Sequence, residues 1–195
     1  GIGRLLQAEL DAATAALIKP YLDIIRAHNP QGEVVRYPGS PLVARALMRP
    51  QDRMVACELE PGAHRQLVAS LRRDRQARVV AIDGWTALPA YVPPQERRGV
   101  VLIDPPFEQP DEFERLASGF AAAMAKWPSG CYVLWSPIKD ARAAGRLADR
   151  VAGTIADTFR SANQPLKTLL SERLLRIDFQ IGSVLRADAG LTATG

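Results

Sequence analysis

Residues 100 to 107 read Val-Val-Leu-Ile-Asp-Pro-Pro-Phe, and this run constrains the fold more than any other. Four consecutive aliphatic residues after Gly99 predict a strand buried on both faces, as strands of parallel sheets are. The strand must stop at Pro105-Pro106, because proline cannot donate to a ladder. An acid, a rigid turn and an aromatic ring are thus presented together at a strand's carboxyl end. In an open parallel α/β sheet that edge is where ligands bind.

The rest of the chain supports such a sheet. From Arg53 onward, short apolar runs alternate with amphipathic stretches. Strands are predicted at 54–57, 79–82, 100–103, 131–134 and near 174–181. Helices are predicted at 61–73, in a short stretch after Gly84, at 111–126 and through about residue 151. This alternation predicts an α/β fold, a mostly parallel sheet with helices on both faces. Glu58, Asp83 and Asp104 each follow a predicted strand on its carboxyl side, so all three are expected along one crevice. Before Arg53 the pattern is helical. Leu5 to about Ile18 predicts a helix, broken by Pro20, which opens a second helix through about Ala27. Tyr37-Pro38-Gly39-Ser40-Pro41 leads into a further helix, with Ser40 as its N-cap and Pro41 as its first residue. Such a terminus suits a carboxylate or phosphate, though an ordinary capped helix has the same pattern.

The chemistry that Asp104-Pro105-Pro106-Phe107 suits is transfer to an exocyclic amine. A nucleobase amine is a poor nucleophile because its lone pair is delocalised into the ring. Asp104 and the Pro105 carbonyl can accept its N–H bonds and localise the pair, and the two prolines hold the acceptors in place. Phe107 can stack on a base swung out of its helix. Asp-Pro-Pro alone would equally well just turn a chain.

Charge and composition narrow the classes. The 195 residues fit one domain, and 47% hydrophobic with 24% charged residues is ordinary for a globular chain. No run reaches the roughly 20 apolar residues of a membrane span, and no signal segment opens the chain. Cys57 and Cys131 lie in apolar runs and read as buried thiols, and with His28 and His64 they form no ligand spacing for a metal. Net charge is +4, and the basic residues cluster at Arg65, Arg72, Arg73, Arg75 and Arg78, at Arg97-Arg98, and at Arg142, Arg146 and Arg150. That balance fits a phosphate-rich partner, although arginine at helical spacing is also the mark of a solvated face.

These residues resemble the Rossmann-like S-adenosylmethionine-dependent methyltransferases, and more narrowly the RlmJ family of bacterial 23S ribosomal RNA adenine-N6 methyltransferases. Asp104-Pro105-Pro106-Phe107 matches the Asp-Pro-Pro-aromatic motif shared by amino-methylating enzymes. The narrower resemblance lies in Tyr37-Pro38-Gly39-Ser40-Pro41-Leu42-Val43-Ala44-Arg45, Glu58-Leu59-Glu60-Pro61, Ala81-Ile82-Asp83-Gly84, Gly130-Cys131-Tyr132-Val133-Leu134-Trp135 and Gly190-Leu191-Thr192-Ala193-Thr194-Gly195. It implies a Rossmann-like doubly wound core over 37–195, with 1–36 as the remnant of a cofactor loop plus a small helical insertion. It implies S-adenosyl-L-methionine as cofactor, Asp104 as the catalytic carboxylate beside it, Ser40 at its methionine end, Glu58 on its ribose, and Asp83 with Gly84 on its adenine. Pro105, Pro106 and Phe107 would hold the target adenine, Phe107 standing where family members often carry Tyr. The implied partner is 23S ribosomal RNA, with no metal and no membrane, for a monomer in the cytoplasm. The family also has a first strand with a His-Ala-Gly-x-Gly-like loop and a last strand that this sequence does not contain, so both flanks are expected to be missing. Without that first strand, the strand at 100–103 is expected to expose an edge.

Other readings stay open on the residues alone. The same motif serves adenine in DNA and the guanine amine of ribosomal RNA, since each base offers a stackable face and an exocyclic amine. The basic clusters are also compatible with a non-catalytic nucleic-acid-binding protein linked to use of external DNA. Three acids at three strand ends count against that last reading.

Overall fold

The computed structural model describes residues 2–96, 98–137 and 140–160. The chain divides into two compact units, Gly1–Ile82 and Asp83–Gly195. The first unit has the order α1 (Ile2–Gln7), α2 (Ala12–His28), α3 (Ser40–Leu47), β1 (Met54–Cys57), α4 (Pro61–Ser70), β2 (Ala77–Val80). The second has α5 (Gly84–Tyr91), β3 (Val100–Ile103), α6 (Glu112–Lys126), β4 (Cys131–Leu134) and α7 (Ala141–Arg160). Each unit holds one parallel pair, β1 with β2 and β3 with β4. The α/β character and the parallel pairing anticipated from the sequence are both present. The predicted strand near 174–181 and the run Gly190–Gly195 lie outside the described residues.

In the first unit the helical break is not at Pro20. It lies between α1 and α2, where Asp11 caps α2 by accepting from the N–H groups of Ala13 and Thr14, each at 3.0 Å. Pro20 sits inside α2. A proline there forgoes one backbone bond, and burial of Leu22, Ile24 and Ile25 holds the helix through it. The loop after α2 is built on Asn29, which is 4% exposed. Its amide donates to the carbonyls of Ile25 (2.8 Å) and Arg36 (2.7 Å), and its oxygen accepts from the N–H groups of Val35 (2.9 Å) and Arg36 (2.8 Å). Asn29 thereby sets the path of the chain into Tyr37-Pro38-Gly39-Ser40.

In the second unit the core lies between one face of β3–β4 and the helices. Leu116, Phe120 and Met124 of α6 meet Leu147, Val151, Ile155 and Phe159 of α7, with Ile103, Tyr132 and Leu134 packed against them. Leu88, Val92, Ala123 and Trp127 form a second cluster against Val101, Ile103 and Tyr132. Tyr132 ties the layers together. Its hydroxyl lies 3.0 Å from the carbonyls of both Ala123 and Trp127, and its ring stands edge-on to Phe120. Gly130 is required beside it, since a Cβ there would come within 2.5 Å of the Trp127 ring.

Two expectations from the sequence are corrected here. Residues 100–103 are not buried on both faces: Val100 is 68% and Leu102 47% exposed, while Val101 and Ile103 pack inward. Successive side chains of a strand point to opposite faces, and the described helices of this unit cover only one of them. β3 pairs only with β4 among the described residues, so its other edge carries no ladder. Cys131 shares the uncovered face and is exposed, against the buried thiol expected, whereas Cys57 is half-buried and its thiol pKa is raised by that burial.

Leu116 is fully buried at the centre of this core. Leu116→Ala is expected to lower unfolding stability by about 2–5 kcal/mol, read from urea midpoints at constant slope.

Candidate functional site

The residues singled out from the sequence fall in both units: Ser40 and Glu58 in the first, and Asp83, Gly84 and the Asp104–Phe107 turn in the second.

Ser40 opens α3 but is not its N-cap. Gly39 holds that position, with extended dihedrals (φ −68°, ψ 167°), and its carbonyl accepts from Leu42 and Val43. The helix therefore starts one residue earlier than the Ser-Pro pattern suggested, and glycine brings no side-chain acceptor to its first turn. Among the described residues, neither the hydroxyl nor the N–H of Ser40 has a hydrogen-bond partner, and the residue is exposed. Two donors are left available at a helix start.

Glu58 follows β1 directly, and its N–H completes the ladder to the Val80 carbonyl at 3.1 Å. Its carboxylate accepts from the N–H of Glu60 at 2.9 Å, which folds the Glu58-Leu59-Glu60 corner. Glu60, which sequence reasoning left without a role, is the N-cap of α4. It accepts from Gly62 and Ala63, and these bonds hold its carboxyl below the ordinary range. Gly62 permits the close approach, because a Cβ there would meet Glu60 Oε2 at 2.9 Å. A carboxylate followed three residues later by a small residue in a Pro-initiated helix is the signal that was there to be read.

Asp83 lies three residues beyond β2, which ends at Val80 rather than at the predicted Ile82. It is the N-cap of α5, and its Oδ2 accepts from the Thr86 N–H (2.9 Å) and hydroxyl (3.0 Å). Burial alone would raise its pKa. The Thr86 bonds, the Trp85 N–H and the Arg115 charge outweigh burial and hold the carboxyl below its usual value. Arg115 reaches this position by lying over the Trp85 ring, 5.0 Å from its centroid. Neither Trp85 nor Arg115 was found from sequence, because the pair forms across α5 and α6. Gly84 is exposed beside them.

Asp104 differs from the other acids. It directly follows β3, and among the described residues its side chain has neither a hydrogen bond nor an ion pair. The residue is exposed, yet the protein around its carboxyl raises its pKa by partial desolvation, with no cation or donor among the described residues to offset it. Pro105 is half-buried and Pro106 exposed. Phe107 has φ +54°, a left-handed conformation that a bulky residue rarely adopts. Its ring packs on Phe113 (centroids 4.7 Å apart, 54° between planes) and against the core. The turn is closed by Glu112, 3% exposed, whose carboxylate accepts from the Gln109 N–H at 3.2 Å. A partly desolvated acid on a turn whose geometry is held by packing can take a hydrogen bond from a ligand without first breaking an internal one.

No group of three or more His, Cys, Asp or Glu among the described residues could hold a metal ion, and no described helix is long and apolar enough to cross a membrane.

The capping role of Asp83 generates a stability prediction. A carboxyl whose folded pKa is depressed stabilises the fold above its unfolded pKa, near 4, and that contribution is lost as pH falls through the folded value. Asp83→Ala is expected to lose about 1 kcal/mol at pH 7, the usual value of a cap, and to flatten part of the acid loss. Asp83→Asn, which keeps an acceptor, should retain most of it. Urea midpoints between pH 7 and pH 2 check both.

Comparison with known proteins places the chain in a family. A family model described as "Ribosomal RNA large subunit methyltransferase D, RlmJ" matches residues 1–172. Two relatives are each named "Ribosomal RNA large subunit methyltransferase J". The one from Escherichia coli (strain K12) is 37% identical over 138 residues, 71% of this chain and 48% of that protein. The one from Haemophilus influenzae (strain ATCC 51907 / DSM 11121 / KW20 / Rd) is 36% identical over 140 residues, again 71% and 48%. The chain thus spans about half the length of the curated relatives it matches. The crystal structure of a protein from Legionella pneumophila str. Philadelphia 1 superposes with a TM-score of 0.69 at 28% identity, covering 72% of this chain and 53% of that one. With the parallel strand pairs described above, this likeness makes the fold α/β and Rossmann-like. The chain belongs to the RlmJ family of ribosomal RNA large subunit methyltransferases.

Proposed function

We propose that the protein containing this chain transfers a methyl group from S-adenosyl-L-methionine to the N6 amine of an adenine in 23S ribosomal RNA, as a cytoplasmic enzyme. The single observation that carries the reading is Asp104: a partly desolvated carboxylate with no internal partner among the described residues, on a proline-stiffened turn at the end of a parallel strand, in a chain of this family.

The donor set fits the cofactor chemically. Ser40 offers a hydroxyl and a helix-terminal N–H for a carboxylate, Glu58 offers oxygens for ribose hydroxyls, and Asp83 with Gly84 suits an adenine edge. The bound cofactor supplies an electrophilic methyl group on a sulfonium. The protein's task is to prepare the amine. Asp104 and the Pro105 carbonyl accept its two N–H bonds, drawing the lone pair out of conjugation and aiming it at the methyl group. Pro105 and Pro106 keep both acceptors in position before the base arrives. The surplus proton of the methylated amine leaves to solvent. Phe107 presents a ring whose position Phe113 already holds, so stacking of the target base costs little further ordering. A tyrosine hydroxyl is not needed for that contact.

Two measurements on the full-length protein test this reading. Calorimetric titration of S-adenosylmethionine should show saturable binding that weakens on Glu58→Ala, and Asp104→Ala should cut kcat on deproteinised 23S RNA by about a hundredfold or more while affecting cofactor affinity far less. A normal methylation rate in Asp104→Ala would refute the mechanism. Saturable cofactor binding with methylation of duplex DNA and not RNA would move the substrate to DNA, and a folded protein that binds no cofactor would leave only nucleic-acid binding.

The pH profile follows from the raised pKa of Asp104. An acid whose ionised form is disfavoured stays protonated to a higher pH than an ordinary aspartate, and the protonated form accepts the amine less well. The kcat of methyl transfer should therefore fall on the acid side with an apparent pKa above 3.8, the ordinary value for an aspartate. Asp104→Asn should remove that acid limb along with most of the rate, as measured by single-turnover methylation.

A further inference from the structure

Charge is segregated along β1–β2. At the carboxyl end stand Glu58 and Glu60. The amino end is formed by the segments before each strand, joined where the Met54 N–H donates to the Gln76 carbonyl at 2.8 Å. Residues 45–53 and 72–78 together carry seven arginines and two aspartates. Both aspartates are committed. Asp52 pairs with Arg49 at 2.8 Å, and Asp74 pairs with Arg45 while accepting from the Gln76 N–H at 2.8 Å. These bonds hold both carboxyls below the ordinary range, so the two acids stay ionised on their own partners.

Five guanidiniums remain: Arg53, Arg72, Arg73, Arg75 and Arg78, all exposed. Among the described residues, Arg53 donates only to the backbone carbonyls of Gln51 and Asp52. The other four have no acid partner among the described residues. Arg78 stands on β2 opposite Val55, which is 43% exposed, so the cluster continues onto an open sheet face. Like charges clustered along these two segments repel one another, and no described carboxylate offsets them. Four strand residues rise about 13 Å, which separates this surface from Glu58 at the opposite end of the same pair.

We infer that the amino-terminal end of β1–β2, carrying Arg53, Arg72, Arg73, Arg75 and Arg78, is a contact surface for RNA phosphates, separate from the acid-lined carboxyl end. The inference rests on the RNA-directed reading above and adds to it a second, sequence-independent contact. The acidic end serves the cofactor and repels phosphate. Guanidiniums at the far end would hold phosphates of the RNA backbone without reading its sequence.

The test is a full-length variant carrying Arg72→Ala, Arg73→Ala, Arg75→Ala and Arg78→Ala, compared with the corresponding four Lys substitutions. Because these side chains make no described internal bonds, the fold and the S-adenosylmethionine affinity should be unchanged. RNA affinity should fall about tenfold or more near physiological salt. The slope of log affinity against log salt should shrink by about 0.7–0.9 for each phosphate that is no longer neutralised. KM for RNA should rise with kcat retained, and the Lys variant should recover most of the affinity. Wild-type RNA affinity and salt slope in the Ala variant would overturn the inference while leaving the proposed function standing. The same holds if only binding to an acidic polypeptide such as polyglutamate is abolished. A wild-type protein that neither binds nor methylates RNA would instead remove the underlying reading.

Discussion

Parallel pairing is the constraint on which the rest of this structure depends. A parallel strand cannot be reached by a hairpin, so each pair in this chain is bridged by a helix: α4 between β1 and β2, and α6 between β3 and β4. Every strand of a pair therefore ends on the same side. In the first unit this puts Glu58 at one end and the Arg53 and Arg72–Arg75 segments at the other. In the second it puts the Asp104 turn and Trp135 at neighbouring strand ends, with Ile103 in register with Leu134. Chemistry collects where chains leave a sheet, because there the backbone is released from the ladder and side chains can be aimed by a turn.

The acids at these ends divide by whether the protein already uses them. Glu60 and Asp83 are spent on helix starts, and Glu58 on the corner before α4. A cap places a carboxylate where backbone N–H groups converge, which keeps it ionised and oriented, and an oriented carboxylate can serve a ligand with its remaining lone pairs. Asp83 illustrates the economy: its two bonds to Thr86 share a single oxygen, Oδ2. Asp104 is the opposite case. Nothing described offsets its desolvation, which destabilises its ionised form, and a bound amine would supply what is missing.

Much of this was legible in the sequence. Short aliphatic runs identified β1, β3 and β4 to the residue, since a few consecutive apolar side chains flanked by glycine, proline or charge have few other uses. The predicted second strand was two residues late, because Ala77-Arg78 begins the pairing with an exposed arginine that hydropathy discounts. Burial was the larger miss. Val100 and Leu102 are as apolar as Val101 and Ile103, and no local pattern says which face the helices will cover. Pro20 misled for the converse reason: its local cost was read correctly, but tertiary burial of the surrounding helix overrides it. Phe113 against Phe107, Arg115 over Trp85 and the ring of bonds around Asn29 depend on side-chain positions that only the folded chain defines.

The Asp-Pro-Pro-Phe turn shows why rigidity at such a site is built from several weak devices. Holding Phe107 at φ +54° costs about 1–3 kcal/mol, so the turn would relax if nothing opposed it. Proline at 105 and 106 removes backbone freedom from the unfolded chain as well as the folded one, which lowers the entropy lost in forming the turn. The Phe113 ring and the core beneath it offset the remaining strain by packing against one side of the half-buried Phe107, and Glu112 closes the far side through the Gln109 N–H. Each of these is worth about as much as the strain itself. The turn is thus held without using Asp104, which on the proposed reading leaves the carboxylate free for the target amine. Had the carboxylate been one of the braces, binding a base would have meant breaking the structure that positions it.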